Sequence, residues 1–263
     1  MNGLRISAVS RMRPLFGLSL FAAALVAALA LDGLLFQDAV YPSEALRRSF
    51  VPNDLVNLIV GLPVLLGSLA LAWRGRLAGL LFWPGALLFI AYNAIAYAAG
   101  LPFGPQTVLY AALAVLSLFS LSRLLASLDA AQIRQRLQGA VPARFAGGVL
   151  IVFGALFFLR QAASLGSLSG PELGTALADL LVCPAWVIGG ILLWRKQALG
   201  YALGTGLLFQ SSMLFVGLLA FFALQPLLVA APFRMADFVV ILVMGLVCFV
   251  PFGLLVRGVA RVE

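Results

Sequence analysis

A chain of 263 residues that is 63% hydrophobic and only 10% charged lies far from the roughly 45–50% apolar, 25% charged balance of soluble domains, so a bilayer is its expected solvent. The formal charge of +8 comes from 17 Lys and Arg residues dispersed among apolar runs without a contiguous basic stripe, which argues against nucleic-acid binding. With no histidine anywhere, imidazole-ligated haem is excluded and the commonest metal ligand and proton carrier are missing. No phosphate-cradling loop, zinc-protease motif or nucleophile elbow is present either, so neither a cofactor nor a metal is expected.

A bilayer core of about 30 Å takes about 20 apolar residues per helix. Eight segments qualify, at approximately 15–36, 54–73, 77–99, 106–125, 145–165, 176–194, 199–224 and 236–257. The first follows a basic start and contains Ala28-Leu29-Ala30, a pattern that resembles a signal peptide, although its run is longer than the ~7–15 residues of such a core. Between the first two segments, "YPSEALRRSFVPND" places Ser43 and Glu44 to start a short helix capping the outer surface. Pro52 and Asn53 then read as punctuation before the second segment, Pro105 before the fourth, and Thr175 or Asp179 at the start of the sixth.

The second and third segments are echoed by the sixth and seventh. "PVLLGSLALAWRGRLAG" (63–79) and "PAWVIGGILLWRKQALG" (184–200) share a Pro-x10-Trp-Arg-x4-Gly frame at an offset of 121 residues. The proline favours a kink, Trp and Arg anchor a helix end among headgroups, and the glycines open close packing, most visibly at Gly200-x-x-x-Gly204. Copies separated by an even number of spans share one orientation. The expectation is an all-α integral membrane protein of about eight transmembrane helices in two parallel four-helix halves, residues 1–125 and 144–263. Residues 126–143 form a cytoplasmic linker, read either as an interfacial helix with arginines on anionic headgroups or as a solvated connection.

Sidedness follows from the basic residues. Alternating spans put thirteen of the seventeen on one side, leaving only Arg47, Arg48, Arg160 and Arg234 on the other, where all the acids except Asp129 and Glu263 fall. Both termini are therefore expected in the cytoplasm, and the Arg-rich, Lys-poor composition suggests a bacterial inner membrane. Cys183 and Cys248 form no C-x-x-C pair and fall at different depths, which reads as two buried thiols.

Ionisable and amide groups within spans are costly and point to function. Asp32, Asn57, Asn93, Arg160 and Asp179 fall in the outer half, and Gln210, with Ser211 and Ser212, near mid-depth. Together they are the candidate lining of an outward-facing cavity for a small amphipathic or lipid-like ligand in a transporter-like protein. For Asp54, Asp179 and Asp237 the competing explanation is a carboxylate at a helix N-terminus. Two other readings compete: a non-catalytic scaffold for partner membrane proteins, and an intramembrane lipid enzyme using Asp32 and Asp179 with Arg160. The expected contacts are the bilayer, anionic lipids at the cytoplasmic face and a membrane-protein partner.

Overall fold

Eight helices long and apolar enough to cross a bilayer make up most of the computed structural model, which describes residues 2–263 and their side chains from residue 12 onward. Arg5 and Arg11, which the charge pattern assigns to the basic side, lie outside the described side chains. No strand occurs among the described residues. The chain is a helical multi-pass membrane protein.

The helices are α1 (Asn2–Leu35), α2 (Gln37–Val40), α3 (Glu44–Val56), α4 (Leu62–Trp73), α5 (Leu77–Gly100), α6 (Pro105–Ser127), α7 (Ala130–Leu137), α8 (Ala143–Ser164), α9 (Gly170–Trp194), α10 (Ala198–Val229) and α11 (Met235–Val262). The second crossing differs from its expected start at residue 54. Ser43 does begin a helix, its side chain accepting from the Leu46 N–H at 3.3 Å. That helix, however, runs on through α3, a π-helical turn at Asn57–Gly61 and α4, so it is part of the crossing rather than a separate cap. Pro52 does not break it, and the Arg48 carbonyl, which loses its helical partner to the proline, accepts from Gln225 Nε2 of α10 at 3.1 Å. The π turn precedes Pro63, whose ring removes one more regular bond; there the Leu62 N–H reaches back to the Asn57 carbonyl. The sixth crossing likewise starts earlier, at Gly170, leaving Thr175 and Asp179 inside α9.

Central to the bundle are α5 and α10, which pack on each other; α5 also packs on α4, α6 and α9, and α10 on α3, α9 and α11. Backbones meet closely where Gly85 of α5 faces Gly206 of α10: a Cβ on Gly85 would land on the Gly206 carbonyl oxygen. Beside this contact Phe82 stacks on Phe209 with centroids 4.7 Å apart. Without lipid-phase hydrophobic drive between helices, such small-residue crossings supply the packing that holds them together.

The two Trp-Arg turns match bond for bond. In the first, the N–H groups of Arg74, Gly75 and Arg76 bond to the carbonyls of Ala70, Ala72 and Leu71; in the second, Arg195, Lys196 and Gln197 bond to Ile191, Leu193 and Leu192. Each turn needs a left-handed residue, Gly75 (φ 72°) in one and Lys196 (φ 55°) in the other. Trp73 and Trp194, with the arginines after them, are exposed at these turns. Phe16 of α1 packs edge-on to Trp73 at 5.2 Å, and Glu263 accepts from the Ala78 N–H at 2.7 Å while pairing with Arg76 at 3.9 Å. The first crossing therefore starts, and the chain ends, near the same end of the bundle as the turns.

The segment between α6 and α8 contains the amphipathic helix α7, capped by Asp129, which accepts from the Gln132 N–H at 3.0 Å. Its apolar residues Ile133 and Leu137 are buried, with α10 the main helix packed against it, while Arg134 and Arg136 are exposed. Cys183 and Cys248 are both buried free thiols, as expected.

Candidate functional site

At the end of the bundle opposite the Trp-Arg turns, α3, α5, α8, α9, α10 and α11 enclose a cavity of about 390 Å³. Its walls are largely aromatic, with Phe89, Phe157, Trp186 and Phe215 among them, and polar groups sit on two sides. On one, Asp179 of α9 accepts from Tyr92 Oη at 2.9 Å and from Gln161 Nε2 at 2.7 Å, so groups of α5 and α8 fix both carboxylate oxygens. Arg160, the neighbour of Gln161, lines the same region and is exposed. On the other side, Asn53 Nδ2 donates to Asn93 Oδ1 at 3.2 Å, and Asn93 Nδ2 donates to the Phe89 carbonyl one turn back at 3.0 Å.

Of the six candidate residues, Asn93, Arg160 and Asp179 line this cavity together. Gln210 lies one layer behind it, fully buried, with its side-chain oxygen accepting from Trp186 Nε1 at 2.6 Å. It thereby holds the indole that forms part of the cavity wall. Ser211 Oγ donates to the Leu208 carbonyl at 3.0 Å, an ordinary helical back-bond. Asn57 and Asn93 meet at a much smaller internal gap bordered by Tyr110, where Asn57 Oδ1 has no hydrogen-bond partner among the described residues. Asp32 is elsewhere, accepting weakly from Gln106 Nε2 at 3.5 Å. The grouping of Asp32 with Asp179 and Arg160 is thus not assembled around the cavity.

A separate polar knot surrounds Asp54. This carboxylate is fully buried, accepting from Tyr41 Oη and Tyr97 Oη, each at 2.7 Å. Tyr97 also reaches the Phe50 carbonyl at 3.1 Å and stacks on Tyr110 at 4.3 Å. Burial foremost, and then the Asp54 carboxylate, push the Tyr41 phenol well above its ordinary range, so it remains a donor. The knot ties α5 to α3 and to the loop after α2. Gly33 of α1 backs it so closely that a Cβ there would collide with the Asp54 carboxylate and the Tyr41 hydroxyl.

The helix-terminus explanation therefore holds for Asp237 alone, in the first turn of α11 beside Arg234 at 2.5 Å. Asp54 and Asp179 are interior helix residues satisfied by side chains from other elements, Tyr41 of the loop after α2 among them. Nothing in the local sequence distinguishes Tyr92 or Trp186 from a core aromatic, or Gln161 from an amide at a helix end, so their part in the cavity is visible only in the structure. Among the described residues no cluster of His, Cys, Asp or Glu could hold a metal.

Compared with protein-family models, with curated proteins and with solved structures, the chain matches none.

Proposed function

We propose that this protein binds a small amphipathic, lipid-like ligand in the cavity that α5 and α10 help to wall, as the central site of a transporter-like membrane protein built from two parallel halves, residues 1–125 and 144–263. The observation that carries the reading is where the 121-residue offset falls. Phe50 and Pro171, Asn93 and Leu214, Ala96 and Gly217, and Tyr97 and Leu218 are four offset-related pairs, and both members of every pair line the cavity. Gly85 and Gly206, where the backbones of α5 and α10 meet closely, are a fifth such pair. A pseudo-two-fold axis along the membrane normal that passes between those glycines and up through the cavity accounts for all five pairs, and parallel-repeat transporters place their substrate at such a repeat interface.

Charge supplies the orientation. The end carrying Arg74, Arg76, Arg195 and Lys196, all exposed except for the Arg76–Glu263 contact, is the cytoplasmic side of an inner membrane by the positive-inside rule, and both termini lie there. The same arginines face anionic headgroups of that leaflet. The cavity then opens outward. The Gly85–Gly206 contact and the Phe82–Phe209 stack lie between it and the cytoplasmic end.

Binding of a dansylated alkyl probe to the purified full-length protein tests the reading. Saturable fluorescence enhancement is expected, and Thr175→Trp, at an exposed lining position, should abolish it while leaving thermal stability intact. Probe binding indifferent to Thr175→Trp would contradict the assignment.

A further inference from the structure

The charges around the cavity narrow the ligand's class, an argument that rests on the reading of the cavity as an amphiphile site. Three charged side chains line it: Arg160 from α8, and Glu172 and Asp179 from α9. Arg160 and Glu172 are both exposed, and neither makes an ion pair within 4.0 Å among the described residues; the ion pairs that do form there involve no residue of the cavity. Asp179 is held in place by Tyr92 and Gln161, two neutral donors, so its carboxylate is oriented without a bonded cation. Asp54, the buried acid nearby, does not line the cavity, and its two oxygens are each taken by a tyrosine hydroxyl, from Tyr41 and Tyr97.

A purely anionic headgroup seated on Arg160 would face two carboxylates, and a purely cationic one seated on the carboxylates would face the guanidinium. A headgroup carrying both charges meets each with its complement: anionic oxygens take the forked N–H donors of Arg160, and an ammonium takes the carboxylates. Apart from these charges and the Asn53–Asn93 pair on the other side, the walls are largely aromatic and aliphatic, with Phe89, Phe157, Leu214 and Phe215 available to an alkyl chain. A volume of about 390 Å³ is near the lower end of the ~300–1,000 Å³ typical of ligand pockets, which suits one chain rather than two. We infer that the cavity takes a single-chain zwitterionic amphiphile, with its anionic group on Arg160, its ammonium on the α9 side that carries Glu172 and Asp179, and its tail among the aromatic residues of α5, α8 and α10.

The test is equilibrium binding to the full-length protein in amphipol of three probes with equal chain length: lysophosphatidylethanolamine, lysophosphatidylglycerol and an alkyltrimethylammonium. The zwitterion should bind at least ~10-fold more tightly than either singly charged probe, the size expected from one charge-assisted hydrogen bond. Arg160→Gln should remove its advantage over the alkylammonium, and Glu172→Gln its advantage over lysophosphatidylglycerol; both positions are exposed, so folding is preserved. Equal affinity for a singly charged probe, with Thr175→Trp still blocking it, would overturn the zwitterionic class and leave the cavity standing as a site. A zwitterion preference unchanged in both charge variants would overturn the headgroup placement. If no probe binds, or Thr175→Trp has no effect on binding, the cavity reading itself falls.

Discussion

Asp54 shows how a single carboxylate is accommodated in an apolar bundle: its two oxygens take one tyrosine hydroxyl each, from opposite directions in the sequence. Tyr41→Phe removes one donor and leaves a buried acceptor half-satisfied, which should lower stability by about 1–3 kcal/mol. Gly33→Ala should be at least as damaging, because its methyl group has no space between the carboxylate and the Tyr41 hydroxyl. Thermal unfolding in detergent measures both, and a wild-type melting temperature in either variant would contradict the account. This knot was not legible in the sequence. Pro52 and Asn53 read as a helix start, which put Asp54 at a positive dipole end, whereas the helix continues past the proline and the Arg48 carbonyl it leaves unpaired accepts from Gln225, a residue of a distant helix. Asn93, Arg160 and Asp179 were legible because polar groups inside spans are few, but depth along a helix says nothing of rotation about it. Asp32 and Asn57 share the outer half with them, and Gln210 lies near mid-depth, yet none of the three lines the cavity.

The Trp-Arg turn is the element the sequence announces most clearly, and its repetition extends to backbone hydrogen bonds. The copies differ at one informative position. Gly75 occupies the left-handed conformation at little cost, whereas Lys196 occupies it against steric resistance worth about 1–2 kcal/mol. Lys196→Gly is therefore expected to stabilise the protein by up to about 1 kcal/mol, and Gly75→Ala to destabilise it by a similar amount, both read by thermal unfolding. The same sign for both would contradict the shared geometry. The proline of each frame behaves less uniformly: the helix before Pro63 widens into a π turn, while α9 stays regular around Pro184. Identical residues at matched positions thus fix the turn, whose bonds are local, but not the helix path, which also answers to neighbouring helices. The amphipathic pattern of 126–143 was legible as well, although α7 turns its apolar residues toward the protein, packing mainly on α10.

At the scale of the molecule, spanning length and alternation of charge were enough to read eight crossings, since both are set by bilayer thickness and positive-inside bias rather than by tertiary contacts. The cavity was not readable that way, because six helices contribute to it and their mutual rotation is fixed by small-residue contacts such as Gly85 with Gly206. Enlarging that contact tests the proposed axis: Gly85→Leu should force α5 and α10 apart and lower both stability and probe affinity, while Gly253→Leu, at a glycine with open space around it, should change neither. The central claim, an amphiphile site open to the outer side, is tested most directly by one cysteine. In a Cys183→Ala, Cys248→Ala background, Thr175→Cys should react with a membrane-impermeant maleimide added to intact cells, and a saturating single-chain amphiphile added to the purified full-length protein should slow the same reaction. A cysteine at Arg136, at the opposite end of the bundle, should be inert in intact cells and indifferent to the amphiphile once exposed. Protection confined to position 175 is the predicted result; labelling of position 136 from outside, or unprotected labelling of position 175, would contradict the account.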